Sequence, residues 1–198
     1  MTALMTACPT LVTERLILRP LEETDLDAYT ELLMIPEIGR SLRLAADVSR
    51  AEAWRAMAQW RGQWELRGSG QWAVEERSTG RFLGRAGLHH PEQDDWPGLE
   101  VGWALHPSYW GQGFATEAGV GSMAYAFEVM GAREVFSVIL PDNDRSMAVA
   151  RRLGLTLVEE ERVLSSYPDE PHGIWRIGRD EWDESPLRRG RDGSGPLL

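Results

Sequence analysis

Tyr109-Trp110-Gly111-Gln112-Gly113-Phe114-Ala115-Thr116-Glu117-Ala118 is the stretch on which the reading of this chain turns. It follows the strand-like run Leu99-Glu100-Val101-Gly102-Trp103-Ala104-Leu105 and opens an apolar helix expected over about 114–130. Two glycines at such a junction let the backbone turn sharply and let a ligand approach without meeting a Cβ. The first N–H groups of the new helix lack intrahelical acceptors and sit at the positive end of its dipole. A phosphate is a natural occupant of such a site. An ordinary strand-to-helix turn needs glycine as often, so the stretch by itself leaves both readings open.

Composition narrows the field. With 198 residues and 42% hydrophobic content, the chain fits one α/β domain over 11–183. Residues 1–10 read as a disordered lead-in and 184–198, rich in Pro, Gly and Arg, as a disordered tail. The formal net charge of −10 argues against nucleic acid, because phosphate backbones are bound by basic surfaces. Apolar segments are interrupted by charge before a membrane-spanning length, and the start lacks a basic region followed by an apolar one. A soluble, cytoplasmic protein with no membrane partner is therefore expected. The single Cys8 offers no disulfide framework. His89 and His90 have no partner at helical spacing, so no metal site is expected. All 21 basic residues are Arg, which excludes Schiff-base chemistry and a P-loop within this chain.

Outward from the loop, the elements alternate in kind. Residues 11–19 read as a strand ended by Pro20. Thr24-Asp25 caps a short helix carrying Leu26, Tyr29, Leu32 and Leu33, which breaks at Ile35-Pro36-Glu37-Ile38-Gly39. Ser49 with Glu52 forms a capping box for a helix to about Leu66. Its stripe of Ala53, Met57, Trp60 and Trp64 could line a pocket, but such stripes more often pack a helix onto a sheet, and it is read as packing. Residues 71–76 and 81–88 form a hairpin about Arg77-Ser78-Thr79-Gly80. Downstream, Gly131 is a C-cap and 133–140 a strand, placed parallel to 99–105 by the β–α–β spacing. A helix within 141–155 closes at Gly154 and is followed by Thr156-Leu157-Val158-Glu159-Glu160, and a last strand is expected over 172–177.

Five of these pieces, in this order, resemble the GNAT superfamily of acyl-CoA N-acyltransferases. They are Thr13-Glu14-Arg15-Leu16-Ile17-Leu18-Arg19, Thr79-Gly80-Arg81-Phe82-Leu83-Gly84, Glu100-Val101-Gly102-Trp103, Trp110 to Ala118, and Asn143-x-x-Ser146 through Leu153-Gly154. More narrowly, the chain resembles the branch that includes the ribosomal-protein alanine acetyltransferases. The resemblance implies an α/β (α+β) GNAT fold. Its mixed, mostly antiparallel sheet would have about seven strands, splayed between the fourth and fifth and flanked by about four helices.

It also implies acetyl-CoA as co-substrate, without a metal. The pantetheine arm would lie beside Trp103, Ala104, Leu105 and His106. The pyrophosphate would sit on the N–H groups of Gly111, Gln112, Gly113, Phe114 and Ala115, with Thr116 next in the turn. Trp110 stands where the superfamily usually has Gln or Arg, and Arg145, Arg151 or Arg152 is then the source of positive charge. Asn143 and Val149 would complete the cofactor contacts.

Amine acetylation needs amine deprotonation, a stabilised oxyanion and a protonated leaving thiol. The resemblance assigns these to Glu100, the backbone N–H of Leu105 and Ser146. As local structure, Glu100 could equally be a strand-edge charge and Ser146 a helix-start residue capped with Asp142 or Asn143. The acceptor is a primary amine, on a small molecule or a peptide. Acidic residues at Glu92, Asp94, Asp95, Glu159, Glu160, Glu161, Asp169 and Glu170 suggest a cationic one. A non-catalytic acyl-CoA sensor and an antibiotic-type amine acetyltransferase are the alternative readings, and homodimers are common among such relatives.

Overall fold

A computed structural model describes residues 8–45 and 47–189. Eight strands form one sheet: β1 (Leu11–Val12), β2 (Leu16–Arg19), β3 (Gln71–Glu76), β4 (Arg81–His89), β5 (Glu100–Leu105), β6 (Glu134–Ile139), β7 (Thr156–Leu164) and β8 (Tyr167–Gly178). Their order across the sheet is β1-β2-β3-β4-β5-β6-β8-β7. Every neighbouring pair is antiparallel except β5 and β6, which run parallel as the spacing predicts.

The count exceeds seven because the predicted strand over 11–19 is split. Thr13 N donates to Leu16 O at 2.9 Å and Leu16 N to Thr13 Oγ1 at 3.1 Å, which closes a tight turn. The turn is held from outside. Glu117 accepts from Thr13 Oγ1 at 2.6 Å, from Arg15 N at 2.7 Å and from Arg15 Nε at 2.7 Å.

The α-helices among the described residues are α1 (Leu26–Met34), α2 (Pro36–Leu42), α3 (Arg50–Arg67), α4 (Phe114–Ala124), α5 (Asp144–Arg152), α6 (Arg179–Glu184) and α7 (Pro186–Arg189). The break expected over 35–39 is confined to Ile35. Pro36 then occupies the first turn of α2, where its missing N–H costs nothing. The α4 helix continues as a π-helical segment over Tyr125–Val129, so the predicted span of 114–130 is continuous. Ser49 and Glu52 form the expected capping box.

Side-chain alternation along the central strands splits the core between the two faces of the sheet. One face carries Leu16, Leu18, Trp72, Val74, Ala86, Leu88 and Val101 against α4. The other presents Ala73 and Ala104 to Tyr29 and Leu33 of α1 and to Ala53, Met57 and Trp60 of α3. Trp64 closes the edge by stacking on Trp72 at 4.6 Å. The stripe on α3 is packing, as expected, though Trp60 also lines a cavity, which was the alternative reading.

The chain ends differ from expectation where they are described. Pro9 O accepts from Trp72 Nε1 at 2.7 Å, and burial pushes the Cys8 thiol up to about 12, so residues 8–10 belong to the folded body. At the other end α7 forms within the stretch expected to be a tail, and Arg188 lies 3.4 Å from Asp183. The remainder of both expected segments, 1–7 and 190–198, lies outside the described residues.

Glu117 fixes the N-terminal strands to the start of α4. Glu117→Ala is expected to lower unfolding free energy by about 1–3 kcal/mol, the range for hydrogen bonds to a charged group and for donors left unmatched. Urea denaturation of the variant beside the parent checks this.

Candidate active site

The parallel pairing of β5 with β6 lasts for one register pair, Glu100 with Phe136, where Phe136 N donates to Leu99 O at 2.8 Å. A continuous parallel ladder would next join Val138 N to Val101 O. Instead Val138 N donates to the Glu100 carboxylate at 3.2 Å. The side chain substitutes for a main-chain acceptor, and past this point the two strands separate.

The alternation of β5 against β4 tells which backbone groups face the gap. His106 N donates to Leu83 O at 2.8 Å, so even-numbered residues of β5 bond to β4 and odd-numbered ones point toward β6. Leu99 follows that rule. Trp103 and Leu105 therefore turn their N–H and C=O groups into the splay. One is taken: Leu105 O accepts from Trp110 Nε1 at 2.7 Å.

The loop beyond β5 reaches α4 through Gly111 and Gly113, whose φ angles of 74° and 83° are left-handed. A Cβ at Gly113 would stand 3.3 Å from Arg15 Nη2. Arg15 itself lies 4.5 Å over the Phe114 ring and donates to Gln112 O at 2.9 Å. The strand turn, the glycine loop and the first turn of α4 thus form one unit, with the early N–H groups of α4 left for a ligand.

A cleft of about 590 Å³ runs through the splay. Trp103, Ala104, Leu105, Trp110, Gly111, Gly113, Phe114, Ala115 and Thr116 line one side, and Asn143, Arg145, Ser146, Val149 and Arg152 the other. Of the residues expected to contact a cofactor, His106 and Gln112 do not line it. His106 Nδ1 caps the turn at Ser108 N, and Gln112 Nε2 donates to Ser108 O.

Trp110 acquires a role that its type alone did not reveal. The Arg145 guanidinium lies 4.6 Å over its ring, so the indole holds a cation at the cleft. Arg151 turns away to stack on Trp175, leaving Arg145 and Arg152 at the wall. Across the mouth, Arg40 pairs with Asp142 at 2.5 Å.

Asn143 is the N-cap of α5, with Oδ1 accepting from Ser146 N at 3.1 Å. Capping therefore uses the Ser146 backbone, and its hydroxyl has no hydrogen-bond partner among the described residues. Ser146 lines both this cleft and a second cavity of about 310 Å³ on the α1–α3 side of the sheet. Ser41, Trp103, Leu140 and Asn143 are also shared between the two.

The second cavity contains Glu100, whose side chain is 13% exposed and which meets His89 Nδ1 at 3.3 Å. Around it stand Arg43, Gln71, Arg85, Trp96, Tyr167 and His172. None of the acidic residues expected to surround a cationic amine lines either cavity. Glu92 pairs with Arg67, Glu170 with Arg43, and Glu159 with Arg162. Asp95 accepts from Ser165 N at 2.5 Å, while Glu160 and Glu161 lie on β7, at the edge of the sheet. The expectation of an acidic acceptor pocket fails because those charges are solvated or matched by arginines.

Sequence reasoning passed over Arg15, Arg43, Arg85, Tyr167 and His172. Only Arg85 carried a local signal: an arginine inside an otherwise apolar strand, with glycines at 84 and 87. Among the described residues no cluster of His, Cys, Asp and Glu could hold a metal ion, and no helix is long and apolar enough to cross a membrane.

Burial, reinforced by the Arg43 guanidinium and opposed by Glu100, pushes the His172 imidazole from 6.5 down to about 4. Between those values the unfolded chain binds the proton and the folded one does not. The stabilising contribution is thus complete above about pH 6.5 and lost as pH falls toward 4. Denaturant midpoints over that range should fall in the parent and fall less in His172→Gln.

Residues 15–156 match the family model described as Acetyltransferase (GNAT) domain. The FsC-acetyl coenzyme A-N(2)-transacetylase of Aspergillus fumigatus is 30% identical over 194 residues, covering 89% of this chain and 79% of that protein. The crystal structure of an acetyltransferase from Agrobacterium tumefaciens superposes with a TM-score of 0.75 at 30% identity, covering 89% of this chain and 98% of that one. The ribosomal-protein-S5-alanine acetyltransferase of Vibrio fischeri shares the fold, with a TM-score of 0.70 at 16% identity over 88% of this chain and 98% of that one. The mostly antiparallel sheet, its splay and these similarities give one conclusion: the chain belongs to the GNAT family of N-acetyltransferases.

Proposed function

We propose that the protein moves an acetyl group from acetyl-CoA to a primary amine by direct transfer in a ternary complex. The observation that carries this reading is the meeting of two cavities at Ser146, beside backbone groups of β5 that face the splay. Acetyl-CoA would occupy the larger, with its pyrophosphate on the early N–H groups of α4 and its phosphates beside Arg145 and Arg152. The amine would enter from the smaller.

In this reading the amine nitrogen attacks the thioester carbonyl carbon, and the Leu105 N–H donates to the oxyanion that forms. Glu100 takes the amine proton through water, which its place deeper on β5 and its contact with His89 allow. Collapse of the tetrahedral intermediate breaks the carbon–sulfur bond, and the Ser146 hydroxyl donates a proton to the departing thiolate. No cysteine lines either cavity, and the Ser146 hydroxyl has no base within hydrogen-bond reach among the described residues to activate it as a nucleophile.

Thiol release from acetyl-CoA with a panel of amines and N-terminal peptides tests the reading. Tight CoA binding with no release for any acceptor would instead favour a sensor. Ser146→Ala and Glu100→Gln should each lower kcat by about 10²- to 10⁴-fold, the usual worth of a general acid or base, with CoA affinity retained. The glutamine oxygen can still accept from Val138 N, so loss of activity in Glu100→Gln would not reflect loss of the splay. Gly113→Ala, which forces a side chain into a left-handed backbone, should weaken CoA binding by about tenfold in calorimetry.

A further inference from the structure

Arg85 stands in the middle of β4, in register with Ala73 on β3 and Ala104 on β5. Its side chain consequently enters the sheet face covered by α1 and α3, among apolar groups. It is 8% exposed, and its guanidinium lies 5.0 Å over the Trp60 ring. No carboxylate and no hydrogen-bond acceptor among the described residues reaches it, and its buried Nε has no partner.

The other sequestered arginines differ. Arg19 holds Asp25 at 2.8 Å and Glu75 at 2.7 Å. Arg43 is matched by Glu170 and contacts His172 Nε2 at 3.2 Å. In Arg85 only Nε is sealed off; Nη1 and Nη2 open onto the cavity, where Glu100 also stands but does not pair with them, so the fork is left unmatched toward whatever anion enters.

The surroundings define the size and polarity of that anion. At about 310 Å³ the cavity is at the lower end for small-molecule sites. Between Ala104 and Glu100, Gly102 leaves the floor open, and a Cβ there would meet only Gln71 Nε2 at 3.9 Å. Gln71 Oε1, itself buried, has no hydrogen-bond partner and can accept from an N–H group. Burial first, then the Glu100 carboxylate, hold the Tyr167 phenol above its ordinary value, so it remains a neutral donor.

We propose that the acceptor is a small primary amine carrying a carboxylate, an amino-acid-like molecule whose carboxylate pairs with Arg85 while its amine reaches the junction at Ser146. This rests on the smaller cavity being the acceptor site. The planar fork of Arg85 suits bidentate capture of a carboxylate, and a polyamine would bring cations against Arg43 and Arg85.

The test is acetyl-CoA thiol release with matched acceptors: amino acids, the same molecules lacking the carboxylate, and short peptides. The parent should favour the carboxylated member in kcat/KM by at least about 30-fold, the lower bound for a buried charge pair. Arg85→Met should erase that preference through KM for the carboxylated acceptors, with calorimetric CoA affinity retained. Arg85→Lys should retain part of it. Equal or better turnover of decarboxylated amines or peptides by the parent overturns the inference while leaving the transferase reading intact. No thiol release with any amine, despite CoA binding, overturns both. Should Arg85→Met not fold, the parent comparison and Arg85→Lys still decide.

Discussion

The site depends on one interrupted ladder. β5 and β6 are held together at Glu100 and Phe136, and the next main-chain donor, Val138 N, goes to the Glu100 side chain. Were the ladder continuous, the N–H and C=O groups of Trp103 and Leu105 would be spent on β6, and the cleft would close. A buried strand edge is a liability unless its backbone groups are matched. Here Trp110 Nε1 matches one of them, and a ligand can match the rest.

The two cavities differ in what they are made from. One wall of the cleft carries free backbone groups: early N–H groups of α4, odd-numbered groups of β5 and left-handed glycines. Such a surface can recognise a ligand common to a family. The smaller cavity is built from side chains contributed by α1, the segment after α2, α3 and strands β3, β4, β5, β6 and β8. Its character is set residue by residue, which is where specificity resides.

This difference also governs how much could be read before the structure. Backbone sites leave local signatures, and the loop at 109–118 with its flanking strand located one wall of the cleft. The motif at 143–154 located part of the facing wall, while Glu37, Ile38, Arg40 and Ser41 were not read as lining it. The smaller cavity was not legible, because Tyr29, Arg43, Arg85 and His172 are brought together only by tertiary packing. Counting acidic residues misled, since Glu92, Glu159 and Glu170 each have an arginine partner. Of the strand pair β7–β8 only 172–177 was read as strand: the outer strand is exposed and charged, which weakens the apolar alternation by which strands are recognised.

The Arg15–Glu117 tie spans 102 residues, and it joins the N-terminal strand turn to the glycine loop. Closing a loop of that length costs more entropy than forming any neighbouring turn, though the cost grows only logarithmically. The glycine loop is consequently fixed by long-range association, because neither end of the tie can order it alone. A chain emerging during synthesis lacks this tie until both the second strand and the fourth helix are in place. A ligand held on the loop would thus favour the completed domain over partial folds.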